Sequence, residues 1–182
     1  MNHVGTKEIW TDRLLLRRFR LDDVNDVYHN YGSDPKVNQY ICFAPCQTRE
    51  GAQSFVQMHI DKYDVDLDFY GWAVVLQNKV IGSVGLFHVD DTADACEVGA
   101  SLGSKWWGQG IVTEAVKALI DFAFHEIGAH RVYASHHIDN VGSGKVMLKS
   151  GMKREGIMRE AQKNPDGSFS DLVLYAILST DR

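Results

Sequence analysis

Apolar side chains recur along this chain with two periods, and each change of period marks a change of element. Leu14, Leu15 and Leu16 form a short apolar run between Arg13 and Arg17, which predicts a strand. Asp22 and Asp23 then suit a helix N-terminus over residues 21–30, where Val24, Val27 and Tyr28 repeat at three and four positions, with Gly32 and Pro35 as its stop. Thr48 N-caps a second helix that carries Phe55, Met58 and Ile60. From Tyr70 the pattern changes: residues 72–76, 80–87 and 96–102 read as Val-rich strands, divided by polar turns at 77–79 and 90–94. Connections this short exclude parallel crossovers, so the three form an antiparallel meander. Residues 111–127 return to the helical period, with Ile111, Ala115, Ala118, Leu119, Phe122 and Ala123 on one broad face that Gly128 ends. Residues 131–135 read as a strand, completing a strand–helix–strand unit whose crossover is expected to be right-handed. A shorter helix at 141–148 stops at Gly151, and strands at 153–161 and 170–178 flank the turn Asn164, Pro165, Asp166, Gly167. No repeat or linker interrupts the pattern, which predicts one α+β domain on a mixed sheet over residues 11–180, behind a short N-terminal extension at 1–10.

Composition narrows the function classes. A chain of 182 residues with 45% hydrophobic and 24% charged residues has the makings of one globular core. Nineteen Lys+Arg against 24 Asp+Glu leave a net charge of −5 and no global positive field, which argues against nucleic acid as a ligand. No apolar run approaches the roughly 20 residues that span a bilayer, and no secretory signal pattern opens the chain. A cytoplasmic protein with no membrane partner is the expectation. Three cysteines, Cys42, Cys46 and Cys96, cannot all pair and are read as free thiols. Asp64, Asp66 and Asp68 have calcium-loop spacing, yet Phe69 and Val75 stand where such a loop needs Gly and Glu, so no metal is expected there.

The segment richest in chemistry is Lys105, Trp106, Trp107, Gly108, Gln109, Gly110, Ile111, Val112, a glycine-bearing turn between a strand and the long helix. Glycines let the backbone approach a ligand, and the first unpaired N–H groups of a helix suit phosphate oxygens. A plain turn is the alternative, because neither the P-loop nor the dinucleotide fingerprint is present. The segment resembles the pyrophosphate loop of the GCN5-related N-acetyltransferase (GNAT) superfamily, Q/R-x-x-G-x-G/A, with Lys105 in place of the Gln or Arg. Further pieces of the resemblance are Thr11 to Arg17, Ile81 to Gly85, Glu97 with Val98 and Gly99, Thr113 with Glu114 and Ala115, Asn140 with Ser143, Lys149 to Met152, Glu155 with Gly156, and Asp171 with Tyr175. Their order is most similar to the RimJ/RimL branch, which acetylates ribosomal-protein N-termini and includes amino-acid, antibiotic and peptide N-acetyltransferases. The resemblance implies a mostly antiparallel central sheet flanked by helices, with a splayed strand pair forming an acetyl-CoA cleft. It also implies backbone contacts to the pantetheine arm from Gly99, Ala100 and Leu102. Pyrophosphate contacts would come from Lys105, Trp107, Gly108, Gln109, Gly110, Ile111 and Val112, with Asn140 as a further cofactor contact.

Acetyl transfer from a thioester needs a neutral amine, a place for the oxyanion and a proton for the departing thiolate. Glu97, on the strand expected to line the cleft, is the candidate base; a structural acid facing solvent or an Arg is the alternative. Ser143 matches the family's proton donor to the coenzyme sulfur, with a helix cap as its other reading. A backbone N–H near Gly99 or Ala100 would serve the oxyanion. His136 and His137 are adjacent on a strand and point to opposite faces, which argues against a shared metal and leaves one of them as an alternative base. Cys96 as an acyl carrier would require its own base. Two positions depart from the family: Ala100 where relatives often have Tyr, and Met152 where they usually have Phe. The acceptor expected from the branch is a protein N-terminus, followed by amino acids, polyamines and aminoglycosides. A non-catalytic acyl-CoA sensor and a structural subunit are the rival readings, and a homodimer is compatible with either.

Overall fold

The computed structural model describes residues 1–41 and 45–181, and Cys42 lies outside the described residues. Eight strands form one sheet: β1 (Ile9–Trp10), β2 (Leu15–Arg17), β3 (Tyr70–Leu76), β4 (Lys79–Asp90), β5 (Ala95–Leu102), β6 (Arg131–His137), β7 (Lys153–Lys163) and β8 (Phe169–Leu178). Their spatial order is β1-β2-β3-β4-β5-β6-β8-β7. Neighbours run antiparallel throughout, except β5 and β6, which are parallel. The mixed sheet and the meander β3-β4-β5 match the sequence pattern.

Alternation along the strands divides the core into two layers. On one face Trp72, Val74, Val84, Leu86, Val98 and Val132 meet the apolar stripe of α4 (Ile111–Phe122) and Met147 of α5 (Val141–Lys149). On the other face Ala73, Val75 and Val80 meet Val27, Ala52 and Val56. These come from α1 (Val24–Val27) and α3 (Arg49–Tyr63). Both faces of β3 are therefore buried, which is why its sequence is an almost unbroken apolar run rather than an alternating one.

Several elements differ from the sequence reading. The helix expected at 21–30 is a composite: a 3₁₀ turn at Leu21–Asp23, then α1, then a π turn at Tyr28–Gly32. Pro35 does not merely stop it. With Asp34 as N-cap accepting from the Lys36 N–H at 3.0 Å, Pro35 opens a short helix, α2 (Pro35–Asn38), at the first-turn position where its missing N–H costs nothing. The helix from Ile111 ends in a π turn at Ala123–Ile127. Residues before Thr11 lie along the sheet: Ile9 pairs with Leu16, and the Thr6 hydroxyl donates to the Phe69 carbonyl at 3.0 Å.

Candidate active site

The central feature is a fork between β5 and β6. The two strands pair only at Ala95 with Arg131, Cys96 with Val132 and Glu97 with Tyr133. Beyond Glu97, β5 stays with β4 up to Leu102 opposite Gly82, while β6 stays with β8 up to His137 opposite Leu172. Each strand therefore turns one row of backbone N–H and C=O groups toward a gap, and Gly99, Ala100 and Leu102 lie on one side of it. Parallel pairing is the weaker kind per residue, and the two antiparallel partnerships outweigh it here.

Glu97 sits at the apex of the fork, on the sheet face shared with α1 and α3. Its carboxylate is held on both sides: Ser135 Oγ of β6 donates to Oε1 at 2.9 Å, and His88 Nδ1 of β4 lies 2.8 Å from Oε2. A carboxylate oxygen can only accept, so Nδ1 carries the hydrogen. Glu97 is thus 20% exposed and held by a His and a Ser rather than by an Arg. His88 reaches it from a break in the β4–β5 register between Phe87 and Asp90, with a φ of 46°. A left-handed backbone at a non-glycine residue costs about 1–3 kcal/mol. Phe87, directly opposite Glu97, lays a half-exposed ring over two glycines: a Cβ would fall 2.8 Å from that ring at Gly85 and 2.9 Å at Gly99. Neither His88, Phe87 nor Ser135 stands out in the sequence. Only the glycines at 85 and 99, which make room for the ring, leave a trace of the arrangement.

At the open end of β5 the chain enters the glycine turn. Gly103 N–H donates to the Ile81 carbonyl at 3.0 Å, Ser104 N–H to Asp34 Oδ2 at 3.1 Å, and Trp107 Nε1 to the Leu102 carbonyl at 2.8 Å. Burial alone would raise the Asp34 carboxyl, but the bonds from Ser104 and Lys36 outweigh it and hold it below the usual range. Gly108 and Gly110 have φ values of 75° and 77°, which only glycine adopts without strain. Gly110 is the N-cap of α4 and no side chain caps it, so the first N–H groups of the helix, including those of Ile111 and Val112, are left for another acceptor. Lys105, Trp107, Gly108, Gln109 and Gly110 are all exposed around this end. Glu114 fixes the turn from below. It accepts from Thr11 Oγ1 at 2.6 Å and Arg13 Nε at 2.7 Å, while Arg13 also donates to the Gln109 carbonyl at 3.0 Å. Burial would raise the Glu114 carboxyl too, and these bonds reverse that and lower it.

The third wall is the start of α5. Asn140 is its N-cap, with Oδ1 accepting from the Ser143 N–H at 3.2 Å. Ser143 is therefore not the cap, and its half-buried hydroxyl has no partner among the described residues. Gly144 lets the helix seat closely, since a Cβ there would lie 2.9 Å from His136 Nε2. His136 is buried against Tyr175, on the sheet face opposite Glu97. His137 shares the Glu97 face; its ring packs on Tyr40 at 5.2 Å and its Nδ1 accepts from the Asp139 N–H at 3.2 Å. Beside it runs a groove of about 700 Å³ lined by Asn38, Gln39, Tyr40, Gln162 and Asn164. Cys96 faces the core, where burial pushes its thiol up to about 12, so it does not supply a thiolate nucleophile. Among the described residues no cluster of His, Cys, Asp or Glu could hold a metal ion, and no helix is long and apolar enough to cross a membrane.

The chain is similar in sequence and in fold to known proteins. The family model for the acetyltransferase (GNAT) domain matches residues 13–153. The uncharacterized N-acetyltransferase YnaD of Bacillus subtilis (strain 168) is 32% identical over 176 residues, 95% of this chain and 98% of its own. The ribosomal protein uS5 alanine N-acetyltransferase of Escherichia coli (strain K12) is 33% identical over 97 residues, 53% of this chain and 46% of its own. Among solved structures, the microcin C7 self immunity acetyltransferase MccE, in complex with acetyl-CoA and AMP, superposes with a TM-score of 0.81 at 22% identity, over 92% of this chain and 93% of that one.

Proposed function

The chain belongs to the GNAT acetyltransferase family, and from that premise we propose that it transfers the acetyl group of acetyl-CoA to the α-amine of a protein or peptide N-terminus. The observation that carries this reading is the β5–β6 fork, with Glu97 at its apex and the uncapped N-terminus of α4 at its open end. The residues present suit the coenzyme. The unpaired edge of β5 from Gly99 to Leu102 offers backbone groups to an amide-bearing arm. The N–H groups of the turn at 107–112 offer an anion cradle, Lys105 adds an exposed cation, and the amide nitrogen of Asn140 is free of the capping bond that its oxygen makes.

Acetyl-CoA supplies the activated acetyl group as a thioester. Glu97 takes the proton that a bound ammonium must lose before its nitrogen has a lone pair, and its oxygens are already fixed from β4 and β6. Ser143 Oγ, with no competing partner among the described residues, donates a hydrogen bond to the coenzyme sulfur as the carbon–sulfur bond breaks, and the second proton lost by the attacking nitrogen ends on the departing thiolate. A backbone N–H near Gly99 or Ala100 stabilises the negative charge on the acetyl oxygen. The acceptor comes from the Glu97 face, where the amide oxygens of Asn38, Gln39 and Gln162, whose nitrogens already donate within the chain, can accept from the N–H groups of a peptide backbone. A relative that acts on a ribosomal-protein alanine supports the same choice.

Free-thiol release from acetyl-CoA, measured with N-terminal peptides, amino acids, polyamines and aminoglycosides, tests this. We expect release with the peptides. Release confined to polyamines or aminoglycosides overturns the peptide acceptor while leaving the transfer. Coenzyme binding without release from any amine means a non-catalytic sensor, and absence of binding overturns the coenzyme reading.

A further inference from the structure

We propose that His88 is a positioning residue for this transfer, fixing the Glu97 carboxylate through the hydrogen bond from its Nδ1–H; the role rests on the acetyltransferase reading above. A glutamate has three rotatable side-chain bonds, and one hydrogen bond leaves its carboxylate free to swing. Here two donors hold it from the strands on either side of β5, Ser135 Oγ on Oε1 and His88 Nδ1 on Oε2. Two lone-pair directions of the carboxylate remain for an incoming amine.

The backbone at His88 is what makes the second bond possible. Residue 88 of a regular strand would follow Phe87 onto the opposite face of the sheet. The left-handed φ of 46° and the lost register between Phe87 and Asp90 instead return the ring to Glu97. This is unfavourable local geometry spent on a contact whose histidine is 74% exposed. The same break lets Val89 pack against the core, but an exposed polar pair returns little stability, so the His88–Glu97 contact is not itself a device for holding the fold together. It is explained by what it does to Glu97. His88 itself does not line the gap between β5 and β6, and it acts on the reaction through the carboxylate.

The test compares H88N, H88G and H88D with the wild type, using acetyl-CoA and an amine that releases thiol in the panel above. Asn places an amide N–H near the position of Nδ1 and tolerates a left-handed backbone. Gly relaxes the backbone and removes the donor. Asp also tolerates the backbone but sets a second carboxylate beside the first. We expect kcat to fall about tenfold in H88G and H88D, because misplacement of a reacting group is costly. KM for the amine and Kd for acetyl-CoA stay within about twofold, and H88N keeps most of the wild-type kcat. In an E97Q background H88G has no further effect, since the two act as one unit. A kcat in H88G equal to wild type, an H88N as slow as H88G, or an equal loss in the E97Q background each overturns the role of His88 alone. A folded wild type silent with every amine overturns the acetyltransferase reading, and the role of His88 with it.

Discussion

Asn140 shows how much one side chain can be asked to do. Its oxygen caps α5 through the Ser143 N–H, and its amide nitrogen is the group proposed to contact the coenzyme. The two jobs separate by substitution. N140D keeps a capping oxygen, so urea unfolding should place it within about 0.5 kcal/mol of wild type, whereas N140A loses about 1 kcal/mol. Both lack the amide donor, and calorimetric titration should show weakened acetyl-CoA binding in both; wild-type affinity in N140D would mean that the nitrogen is not used. At this scale the sequence made Glu97, Asn140 and Ser143 visible through the resemblance, and the choice between cap and hydroxyl donor at Ser143 needed the helix start to be seen. His88 was invisible for a definite reason. Its importance depends on a left-handed bulge, and no hydrophobic period or spacing encodes a bulge at a His.

Elements were legible where burial is one-sided or complete over several turns. The apolar stripe of α4 and the runs of β3 to β5 predicted themselves, while β1, two residues long, is held by its pairing with β2 and by Ile9 against the core, too short a stretch to set a period. The composite stretch at 21–32 was only partly readable, because Val24 and Val27 set a helical period but not the 3₁₀ and π turns on either side. How α3 seats on the sheet was not readable at all. His59 lies against Gly71, where a Cβ would come within 2.6 Å, and among the rings of Phe19, Phe55 and Phe69. Burial lowers its pKa to about 4, against the opposing effect of its bond to the Phe55 carbonyl. The folded value lies below the unfolded one of about 6.5, so the stability linked to neutral His59 is complete above that pH and is lost as pH falls toward 4. The full loss is up to about 3 kcal/mol, at roughly 1.4 kcal/mol per pH unit. Urea unfolding between those limits should show that slope in the wild type and a flatter one in His59→Phe. Equal slopes would place the acid sensitivity elsewhere.

Across the whole molecule, three layers converge on one gap. The layer of α4 and α5 brings the anion cradle and Ser143, the layer of α1 to α3 borders the amide-lined groove, and β5 runs between them with Glu97 at the point where the sheet opens. Two polar ties hold the parts in place: Asp34 to the Ser104 N–H, and Glu114 to Thr11 and Arg13. Spacing and period alone gave the helix N-terminus behind the glycine turn. They could not give the fork, because a strand that parts from its neighbour has the same side-chain pattern as one that stays. The fork was an expectation of the family resemblance, and the register of β5 against β6 supplies it. The most direct test of the chemistry assigned to it is the rate of thiol release by Glu97→Gln beside the wild type, with an N-terminal peptide as acceptor and acetyl-CoA affinity measured in parallel. We expect kcat about 100-fold lower with unchanged affinity, because the amide keeps the shape of the carboxylate but cannot take the proton. A Glu97→Gln protein that turns over at the wild-type rate would contradict Glu97 as the base.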